Sequence, residues 1–439
     1  MKRALAIAAL AACTGETGTV SVSLTTAPGS DLVSRIQRLD MTLTNPYQKV
    51  TATRTSSGLD LSLELPATSE VGALQIDGFD GTGALIAVGA SPKFPVGGID
   101  GHITIYLGEQ NTIGAAPASL MPPRFALATS PLSYGAVLAG GTLDGGAPSD
   151  AVGIYNAFDH SLATALPLPA PRAGLALATG ANNIVYMFGG RDAAGSPTAT
   201  AWRYDTNIAP SGAIVDYGDK TGFARTDQVL VPIGNERFLA SGAPPTELSG
   251  LDGSMTAKTG IAEVGSGGAS LLGSDGVATA VFAGPSGVVR FRNGMFTPID
   301  LPAFARAGVQ VVAIGGGKVV LVCGGPGLAV LDVATLDVTM PVVDADPVLN
   351  FTGCAVAATT RHFMIAGGTG PNGGTVPSAF VYELPDLTPL VSIPLVVART
   401  GASALALPND QLLLVGGTDA NGAPVATIEL FTPANVPVR

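Results

Sequence analysis

The sequence is poor in charged residues and in the side chains that usually build metal sites or disulfide frameworks. Only 13% of its 439 residues are charged, and it contains 3 cysteines, 3 histidines and 1 tryptophan. So low a charged fraction, together with 58 glycines, suits closely packed sheets with many turns better than long helices or disorder. A chain of this length exceeds one typical domain and can bury a large core.

Further absences narrow the possible functions. The chain has no run of about 18 apolar residues, so we expect no membrane-spanning helix despite a mean hydropathy of +0.41. The net charge of −11 argues against a nucleic-acid partner. No P-loop or dinucleotide fingerprint is present, because the run Gly315-Gly316-Gly317 lies between two predicted strands and opens no helix. The sequence therefore predicts no cofactor.

What the sequence does contain is an internal repeat whose copies end in a pair of small residues. Successive pairs are separated by 49, 52, 42, 41, 43 and 49 residues, which is the period of a four-stranded propeller blade. Most copies begin with an arginine, and an apolar run, a polar turn and a second apolar run lead to the pair, as expected for strands joined by hairpins. The pairs are Gly140-Gly141, Gly189-Gly190, Ser241-Gly242, Ala283-Gly284, Gly324-Gly325, Gly367-Gly368 and Gly416-Gly417.

These copies resemble the kelch repeat, in which an arginine and a glycine open the blade, a Gly-Gly pair closes the second strand and a Tyr-Asp-like pair ends the third. The resemblance covers residues 118 to 432 and is weakest around Gly242 and Gly284. The family's tryptophan after the third strand is absent, since Trp202 precedes Tyr204. The resemblance implies an all-β fold with a seven-bladed, galactose-oxidase-like propeller over residues 116–439. We expect the segment from Ala116 to Pro123 to complete the last blade.

Ahead of the repeats, residues 19–110 read as a second all-β unit. Seven short apolar runs separated by turn residues suit an immunoglobulin-like sandwich, although no Cys-Trp-Cys signature fixes the topology. Residues 111–119, rich in glycine, alanine and proline, are predicted to be the linker. The predicted strands are 20–24, 41–44, 50–53, 59–65, 73–76, 84–88 and 103–107.

The first residues resemble the signal of a bacterial lipoprotein. Lys2-Arg3 gives a basic start, residues 4–10 a short apolar core, and Leu10-Ala11-Ala12-Cys13 matches the lipobox. The resemblance implies removal of residues 1–12, lipidation of Cys13 and a tether over 13–18. Because Thr14 follows the cysteine where Asp would signal inner-membrane retention, the expected address is the outer membrane of a Gram-negative host. An ordinary secretory signal or a buried cysteine is the alternative.

The candidate ligand-binding residues are the arginines that open the blades. In an up-and-down sheet the start of strand one and the end of strand two lie at the same end, so we expect these arginines on the face of the long loops, nearest the axis. Guanidinium groups suit carboxylates, and some kelch adaptor propellers hold acidic peptides with arginines at this position. The alternative is a structural role, in which each arginine ties its blade to a neighbour. We favour this alternative, because an arginine at the same position would then do the same for every blade. The arginines are Arg124, Arg172, Arg225, Arg306 and Arg399.

Two cysteines are predicted at the same end of adjacent blades. Cys323 precedes the glycine pair of one second strand, and Cys354 opens the first strand of the next blade. An exported location would permit a disulfide between them. Adjacent sheets stand about 10 Å apart, beyond the usual reach of a disulfide unless the strands converge near the axis. The spacing favours two buried thiols and leaves the disulfide open.

The residues give little support to metal-dependent catalysis. Copper enzymes resembling galactose oxidase need paired tyrosines and histidines, and His102, His160 and His362 lack the family's Tyr-His arrangement. The repeated Ser-x-Asp-x-Gly-x-Thr-Trp turn of sialidase-type propellers is also absent. Acidic loops such as 143–146, 192–195 and 419–422 hold one or two carboxylates, where calcium needs about 6 to 8 oxygens, so hairpin chemistry explains them better.

The sequence thus predicts an exported lipoprotein that is not an enzyme. Its sandwich would hold the propeller above a membrane surface, and the loop face would bind or scaffold a protein or glycan of the cell envelope, with acidic partners suiting the arginines. The alternative is a degenerate propeller enzyme acting on a glycan. Two or more facing carboxylates in a pocket near the axis would favour the enzyme, whereas arginine and small residues there would favour binding.

Overall fold

The computed structural model describes residues 17–55, 62–66, 70–96, 101–273, 276–341 and 350–436. Within these ranges nearly all regular structure is strand, as the sequence predicts. The helices are the short α1 (Leu32–Arg35) and 3-10 turns at Ala181–Asn183 and Pro302–Phe304. None of the described helices has the length and apolar character needed to cross a bilayer. Cys13 and the predicted signal lie outside the described residues.

The N-terminal strands form two main sheets around one core. The strands are β1 (Thr17–Thr25), β2 (Arg38–Thr44), β3 (Tyr47–Thr53), β4 (Ser62–Pro66), β5 (Val71–Gly72), β6 (Leu74–Phe79), β7 (Leu85–Ala90), β8 (Phe94–Pro95) and β9 (Gly101–Tyr106). One sheet has the order β4-β1-β9, with β1 and β9 parallel, and the other has the antiparallel order β3-β2-β6-β7. Strand side chains alternate between faces, and Leu39, Met41 and Leu43 of β2 share a buried cluster with Ile103 and Ile105 of β9.

From residue 112 onward the strands form seven four-stranded antiparallel sheets. In chain order the strands are β10 (Thr112–Ser119), β11 (Arg124–Phe125), β12 (Ala128–Leu132), β13 (Gly135–Ala139), β14 (Thr142–Leu143), β15 (Val152–Asn156), β16 (Ser161–Thr164), β17 (Ala176–Thr179), β18 (Ile184–Phe188), β19 (Thr200–Asp205), β20 (Ala213–Asp219), β21 (Leu230–Pro232), β22 (Arg237–Ala240), β23 (Thr246–Ser249), β24 (Met255–Ala257), β25 (Gly267–Leu272), β26 (Ala278–Gly284), β27 (Gly287–Arg292), β28 (Met295–Ile299), β29 (Gln310–Gly315), β30 (Lys318–Val322), β31 (Ala329–Asp332), β32 (Val338–Thr339), β33 (Ala355–Ala358), β34 (His362–Ala366), β35 (Ser378–Glu383), β36 (Thr388–Pro394), β37 (Ser403–Ala406), β38 (Leu412–Val415) and β39 (Thr427–Thr432).

We number the sheets 1 to 7 by their first strands. Sheet 1 is β12-β13-β15-β16, with β11 and β14 as a small separate ribbon; sheets 2 to 6 are β17–β20, β21–β24, β25–β28, β29–β32 and β33–β36; and sheet 7 is β37-β38-β39-β10. Each first strand contacts the first strand of the next sheet, and β37 contacts β12, so the seven first strands close a ring. An apolar cluster fills each space between neighbouring sheets. The arrangement fits a β-propeller.

Residues 111–119 are not the linker that the sequence predicts. Residues Thr112–Ser119 form β10, which pairs antiparallel with β39 and is the outer strand of sheet 7. Beyond it, the Leu120 N–H donates to the Ala426 carbonyl at 2.8 Å. Pro117 is tolerated because an outer strand leaves one edge unpaired. The N-terminal segment therefore closes the last sheet as expected, but it does so from Thr112 rather than from Ala116.

The N-terminal sheets pack against one side of the ring. We call this side the turn face, because it carries the turn between strands one and two of each sheet and, in sheets 1 to 6, the turn between strands three and four. Thr104 donates its N–H to the Phe158 carbonyl of sheet 1 at 2.8 Å. Asn409 of sheet 7 donates its side-chain amide to the Ala90 carbonyl at 3.2 Å. Tyr106 packs in the apolar cluster between sheets 7 and 1.

Candidate functional site

Each of the five predicted arginines bonds oxygens of its own sheet or of the connection entering it. Arg399, which has no exposed surface, donates to the carbonyls of Gly416 at 3.2 Å and Thr427 at 2.8 Å and pairs with Glu429. Arg124 is 1% exposed and donates to the carbonyls of Pro122 at 3.0 Å and Leu138 at 3.5 Å. These two guanidinium groups are therefore inaccessible to a ligand.

The other three arginines make similar contacts with more exposure. Arg172 bonds the Pro171 carbonyl at 2.8 Å and Thr200 Oγ1 at 3.1 Å, and its guanidinium lies 5.0 Å from the centroid of the Trp202 ring. Arg225 donates to the carbonyls of Ser241 and Pro244 and to Thr246 Oγ1 at 2.6–2.7 Å. Arg306 donates to the Cys323 carbonyl at 3.1 Å and lies 4.7 Å from the Phe304 ring.

Burial shapes the electrostatics of these arginines without removing their charge. Burial lowers the pKa of Arg124 to about 10, so the group stays protonated at neutral pH. Burial also lowers the pKa of Arg399, and the charge of Glu429 partly opposes that shift. The side-chain contacts favour a structural role in which each guanidinium group ties together parts of its own sheet. The predicted link to a neighbouring blade is made by the main chain, since the carbonyls of Arg172, Arg225 and Arg399 accept the N–H groups of Gly141, Gly190 and Gly368 in the preceding sheet.

The position two residues after the arginine makes contacts between neighbouring sheets. The Gly174 N–H donates to the Ala126 carbonyl at 3.3 Å, and the Asp227 N–H donates to the Gly174 carbonyl at 3.0 Å. The same link joins Gly401 to Gly353 at 2.8 Å. All five residues have positive φ, between 49° and 65°, a range that glycine adopts without steric cost. Gly174 and Gly401 of the Arg-x-Gly motif thus fit the turn that brings adjacent sheets together, and Ala126 and Asp227 adopt the same conformation at the equivalent position.

Cys323 and Cys354 form a disulfide, where the sequence favoured two separate thiols. Their Cα atoms are 6.3 Å apart, and both side chains are buried in the cluster between sheets 5 and 6. Nearby, the Gly325 N–H donates to the Phe351 carbonyl at 3.2 Å, so the two main chains meet at this end of the sheets. The 10 Å spacing of packed sheets does not apply where the chains converge, and a disulfide needs only about 4.4–6.8 Å between Cα atoms.

The histidines and acidic loops do not assemble a metal site in the described ranges. There, no group of three or more His, Cys, Asp or Glu side chains has an arrangement that could hold a metal ion. His102 bonds Ser21, and His160 bonds Tyr155, each at 2.9 Å. The loop carboxylate of Asp192 accepts the N–H groups of its own loop at positions 194 and 196, both at 2.9 Å, as expected for hairpin chemistry.

The turn face carries a cleft of about 1100 Å³ across sheets 5, 6 and 7. Its walls come from the first turn of each of these sheets, and Lys93 of the N-terminal unit reaches one side. The charged residues that line it are Lys93, Lys318, Arg361 and Asp410, three cations and one carboxylate on a protein of net charge −11. We call this cavity the basic cleft.

Arg361 and Asp410 are fixed to each other across the turns of sheets 6 and 7. The Asp410 Oδ2 atom accepts from Arg361 Nε at 2.7 Å and lies 2.6 Å from Nη2. The remaining nitrogen, Nη1, donates to the Ala434 carbonyl at 3.1 Å. These bonds orient the guanidinium group, while about a third of each side chain stays exposed at 33% and 29%. The single carboxylate of the cleft is thus already bound to a cation.

Lys93 and Lys318 are differently placed, because neither ammonium group forms a salt bridge with the described residues. Lys318 lies opposite Asp332 in the β30–β31 pair, and its positive charge helps to lower the pKa of that carboxyl. Lys318 begins β30, directly after the Gly315-Gly316-Gly317 turn. Lys93 is exposed between buried Ser91 and Phe94. Sequence reasoning missed both lysines, since they lie far apart in the chain and belong to no motif. The triple-glycine turn beside Lys318 was the one available signal.

A smaller cavity of about 390 Å³ adjoins the basic cleft between the N-terminal sheets and sheet 7. Thr44 and Gln75 form its N-terminal wall, and Lys93, Arg361 and Asp410 line both cavities. The N-terminal unit is therefore part of the walls of this region.

Comparisons with known proteins add little to this geometry. The chain matches no protein-family model and no curated protein. Among solved structures, the structure of YjhT resembles 72% of this chain and 96% of its own, with a TM-score of 0.45 and 16% sequence identity. At that distance the likeness carries no functional argument, and the architecture rests on the sheets themselves.

Proposed function

We propose that this protein is an exported binding or scaffolding protein that holds a protein or glycan partner of the cell envelope in the basic cleft. The observation that supports this most directly is the chemistry of the cleft, which contains three cations and one carboxylate already bound to Arg361. Glycoside hydrolysis usually needs two carboxylates flanking the reacting bond. The lining therefore supports a binding function over a degenerate enzyme acting on a glycan. It also moves the candidate site from the face of the long loops, where the blade-opening arginines are expected, to the turn face.

The proposal includes a finer description of the fold. Seven four-stranded sheets, the closed ring of first strands and the apolar clusters between neighbours support a seven-bladed kelch-like propeller. The two N-terminal sheets with a shared core support an immunoglobulin-like sandwich. Such a ring offers a rigid frame, so loop positions on its turn face can be held in fixed places.

Export and lipid anchoring are also part of the proposal. The lipobox ending at Cys13 supports a lipid anchor in the outer membrane. The Cys323–Cys354 disulfide supports an oxidising compartment, because such bonds persist outside the reducing cytosol.

Capture of a partner from a native envelope extract tests the proposal. Thr360 is exposed in the lining of the cleft, so Thr360→Trp should fill the cleft without disturbing a core. Thr221 is also exposed and lies in the connection after β20, outside the cleft, so Thr221→Trp is the matched control. After crosslinking, the wild-type protein and Thr221→Trp should retain the same partner and Thr360→Trp should lose it. Equal capture by all three would contradict a binding role for the cleft.

A further inference from the structure

We infer that the basic cleft binds a linear acidic peptide, whose carboxylates are held from two sides by Lys93 of the N-terminal unit and Lys318 of sheet 5. This inference rests on the proposed binding function and adds the class of ligand. It also makes the N-terminal unit a part of the binding site rather than a spacer.

The charges of the cleft favour an anionic ligand. Neither Lys93 nor Lys318 forms a salt bridge within the described part of the chain, although Lys318 lies opposite Asp332 on the neighbouring strand. Arg361 adds a third positive group whose orientation is fixed by Asp410 and Ala434. The surrounding protein carries a net charge of −11, so a local excess of positive charge is an exception on its surface. Carboxylates are the anions that such ammonium and guanidinium groups bind through charge-assisted hydrogen bonds.

The uncharged lining of the cleft favours a peptide over a sugar chain as the ligand. None of the described residues that line the cleft is aromatic, and aromatic rings are the usual partners for the C–H faces of sugars. Leu384, Ala406 and Pro408 instead offer partly exposed apolar surface that suits peptide side chains. Gly315 and Gly316 have positive φ of 80° and 59°, and a Cβ at either position would meet nothing within 4 Å. An extended peptide main chain can therefore approach their uncovered backbone.

The main chain around Lys93 is held rigidly, which favours ligand binding. Ser91, 2% exposed, accepts the Leu74 N–H at 2.9 Å, and Phe94, 4% exposed, packs in the N-terminal core. The Asn409 side chain ties neighbouring Ala90 to sheet 7 at 3.2 Å. The main chain at Lys93 is thus held against the ring before any ligand arrives, and such preorganisation reduces the entropy lost on binding.

The experiment is fluorescence anisotropy on the full chain with a fluorescein-labelled hexaglutamate peptide, compared with hexaglutamine and with an oligogalacturonate of equal charge. The variants are Lys93→Ala, Lys318→Ala and the double variant. Lys220→Ala is the control; Lys220 is a half-buried lysine just after β20, outside the cleft, and its ammonium group donates to the Tyr217 carbonyl at 2.6 Å. We expect hexaglutamate to bind and hexaglutamine not to bind, and we expect each cleft variant to raise Kd roughly fivefold or more. Lys220→Ala should leave Kd unchanged, and added salt should weaken wild-type binding.

Three outcomes would overturn the inference. Equal binding of hexaglutamate by the wild type and the double variant would remove the two lysines from the site. Tighter, lysine-dependent binding of the oligogalacturonate would reassign the ligand to an acidic glycan and leave the binding function intact. Failure of both probes, combined with capture of an envelope partner that Thr360→Trp abolishes, would reject the acidic ligand alone. Loss of that capture difference would instead reject the proposed function.

Discussion

Arg399 and Glu429 form an ion pair in which neither side chain has any exposed surface. The Glu429 carboxylate also accepts the N–H groups of Val396 at 2.8 Å and Val397 at 3.1 Å. Arg399 donates in addition to main-chain carbonyls of sheet 7, so the pair joins the connection that enters the sheet to its strands. Breaking one side of such a pair leaves a buried charge without compensation, whereas replacing both sides removes that penalty.

Arg399→Met should therefore lower the free energy of unfolding by about 3–5 kcal/mol, because it leaves the Glu429 carboxylate buried without a positive partner. The double variant Arg399→Met/Glu429→Met should lose much less. Arg306→Met is the control, since Arg306 is partly exposed and donates a single hydrogen bond, and it should cost about 1 kcal/mol. Urea unfolding measures all three. A double variant as unstable as Arg399→Met would contradict this account of the pair.

Ala126 occupies the position where the repeat usually has glycine, with a φ of 49°. Left-handed backbone costs a residue with a Cβ about 1–2 kcal/mol, so Ala126→Gly should raise stability by about 1 kcal/mol after the added flexibility of the unfolded chain is counted. The opposite change, Gly174→Ala, should destabilise, because φ is 61° and the new Cβ would clash with the Asp227 carboxylate. Urea unfolding gives both values. A less stable Ala126→Gly would show that the alanine methyl group contributes packing that outweighs its strain.

The arginines and glycines of the repeat show what the sequence could predict. Paired glycines and hairpin turns mark strand ends because only a few residues fit positive φ, so the four-strand period could be read directly. Residues 112–119 were misread because an outer strand has one free edge and tolerates proline, which gives it the composition of a linker. The Cys323–Cys354 bond does not follow from the sequence, because the general 10 Å spacing of packed sheets gives no sign that the two chains converge here.

The basic cleft could not be predicted from local patterns. Lys93 and Lys318 are single lysines in unrelated segments, and only the packing of the N-terminal unit against the turn face brings both to one cavity. The arginines, by contrast, are easy to find in the sequence because they recur. A residue that recurs at the same position of a repeat indicates a structural role that all the sheets share. A ligand site on a ring of repeats can be formed by residues in which the copies differ.

Acid should destabilise the protein through His160. This side chain is 1% exposed, and its Nε2 atom has no hydrogen-bond partner among the described residues. Burial lowers the pKa of His160 from 6.5 to about 4, with a small opposing effect from Asp159. Between these pH values the unfolded chain binds a proton that the folded protein does not. The free energy of unfolding should therefore fall as pH decreases through that window, by on the order of 3 kcal/mol.

Urea unfolding of the wild type and of His160→Asn between pH 7.5 and pH 4 tests this. Asparagine tolerates the φ of 55° at this position and does not titrate, so the variant should show a flatter pH dependence. Some slope should remain, because burial, followed by the charge of Arg361, also lowers the pKa of His362. Identical slopes in the two proteins would remove His160 as a source of the acid sensitivity.

Reduction should weaken the contact between sheets 5 and 6. The Cys323–Cys354 disulfide encloses a sequence separation of 31 residues, and a loop of that length is worth about 3–4 kcal/mol in the chain-entropy account. Dithiothreitol should lower the free energy of unfolding of the wild type by that amount and have no effect on Cys323→Ala/Cys354→Ala. Peptide mapping without reduction should recover the crosslinked pair. Recovery of both peptides as free thiols from freshly purified, oxidised protein would contradict the bond.

Cys13 is the cysteine left for a lipid anchor, because the other two of the 3 cysteines are bonded to each other. A chain carrying two or more acyl groups should stay on the membrane, whereas a single weak attachment would exchange into solution. Mass spectrometry of the membrane fraction should therefore find a chain that begins at residue 13 and carries acyl groups, and Cys13→Ser should appear in the soluble fraction. Since Thr14 lacks the retention signal that Asp would provide, density-gradient separation should place the wild type with the outer membrane. Recovery of the wild type as a soluble, unacylated protein would reject the anchor, and the disulfide would then be the remaining indication of export.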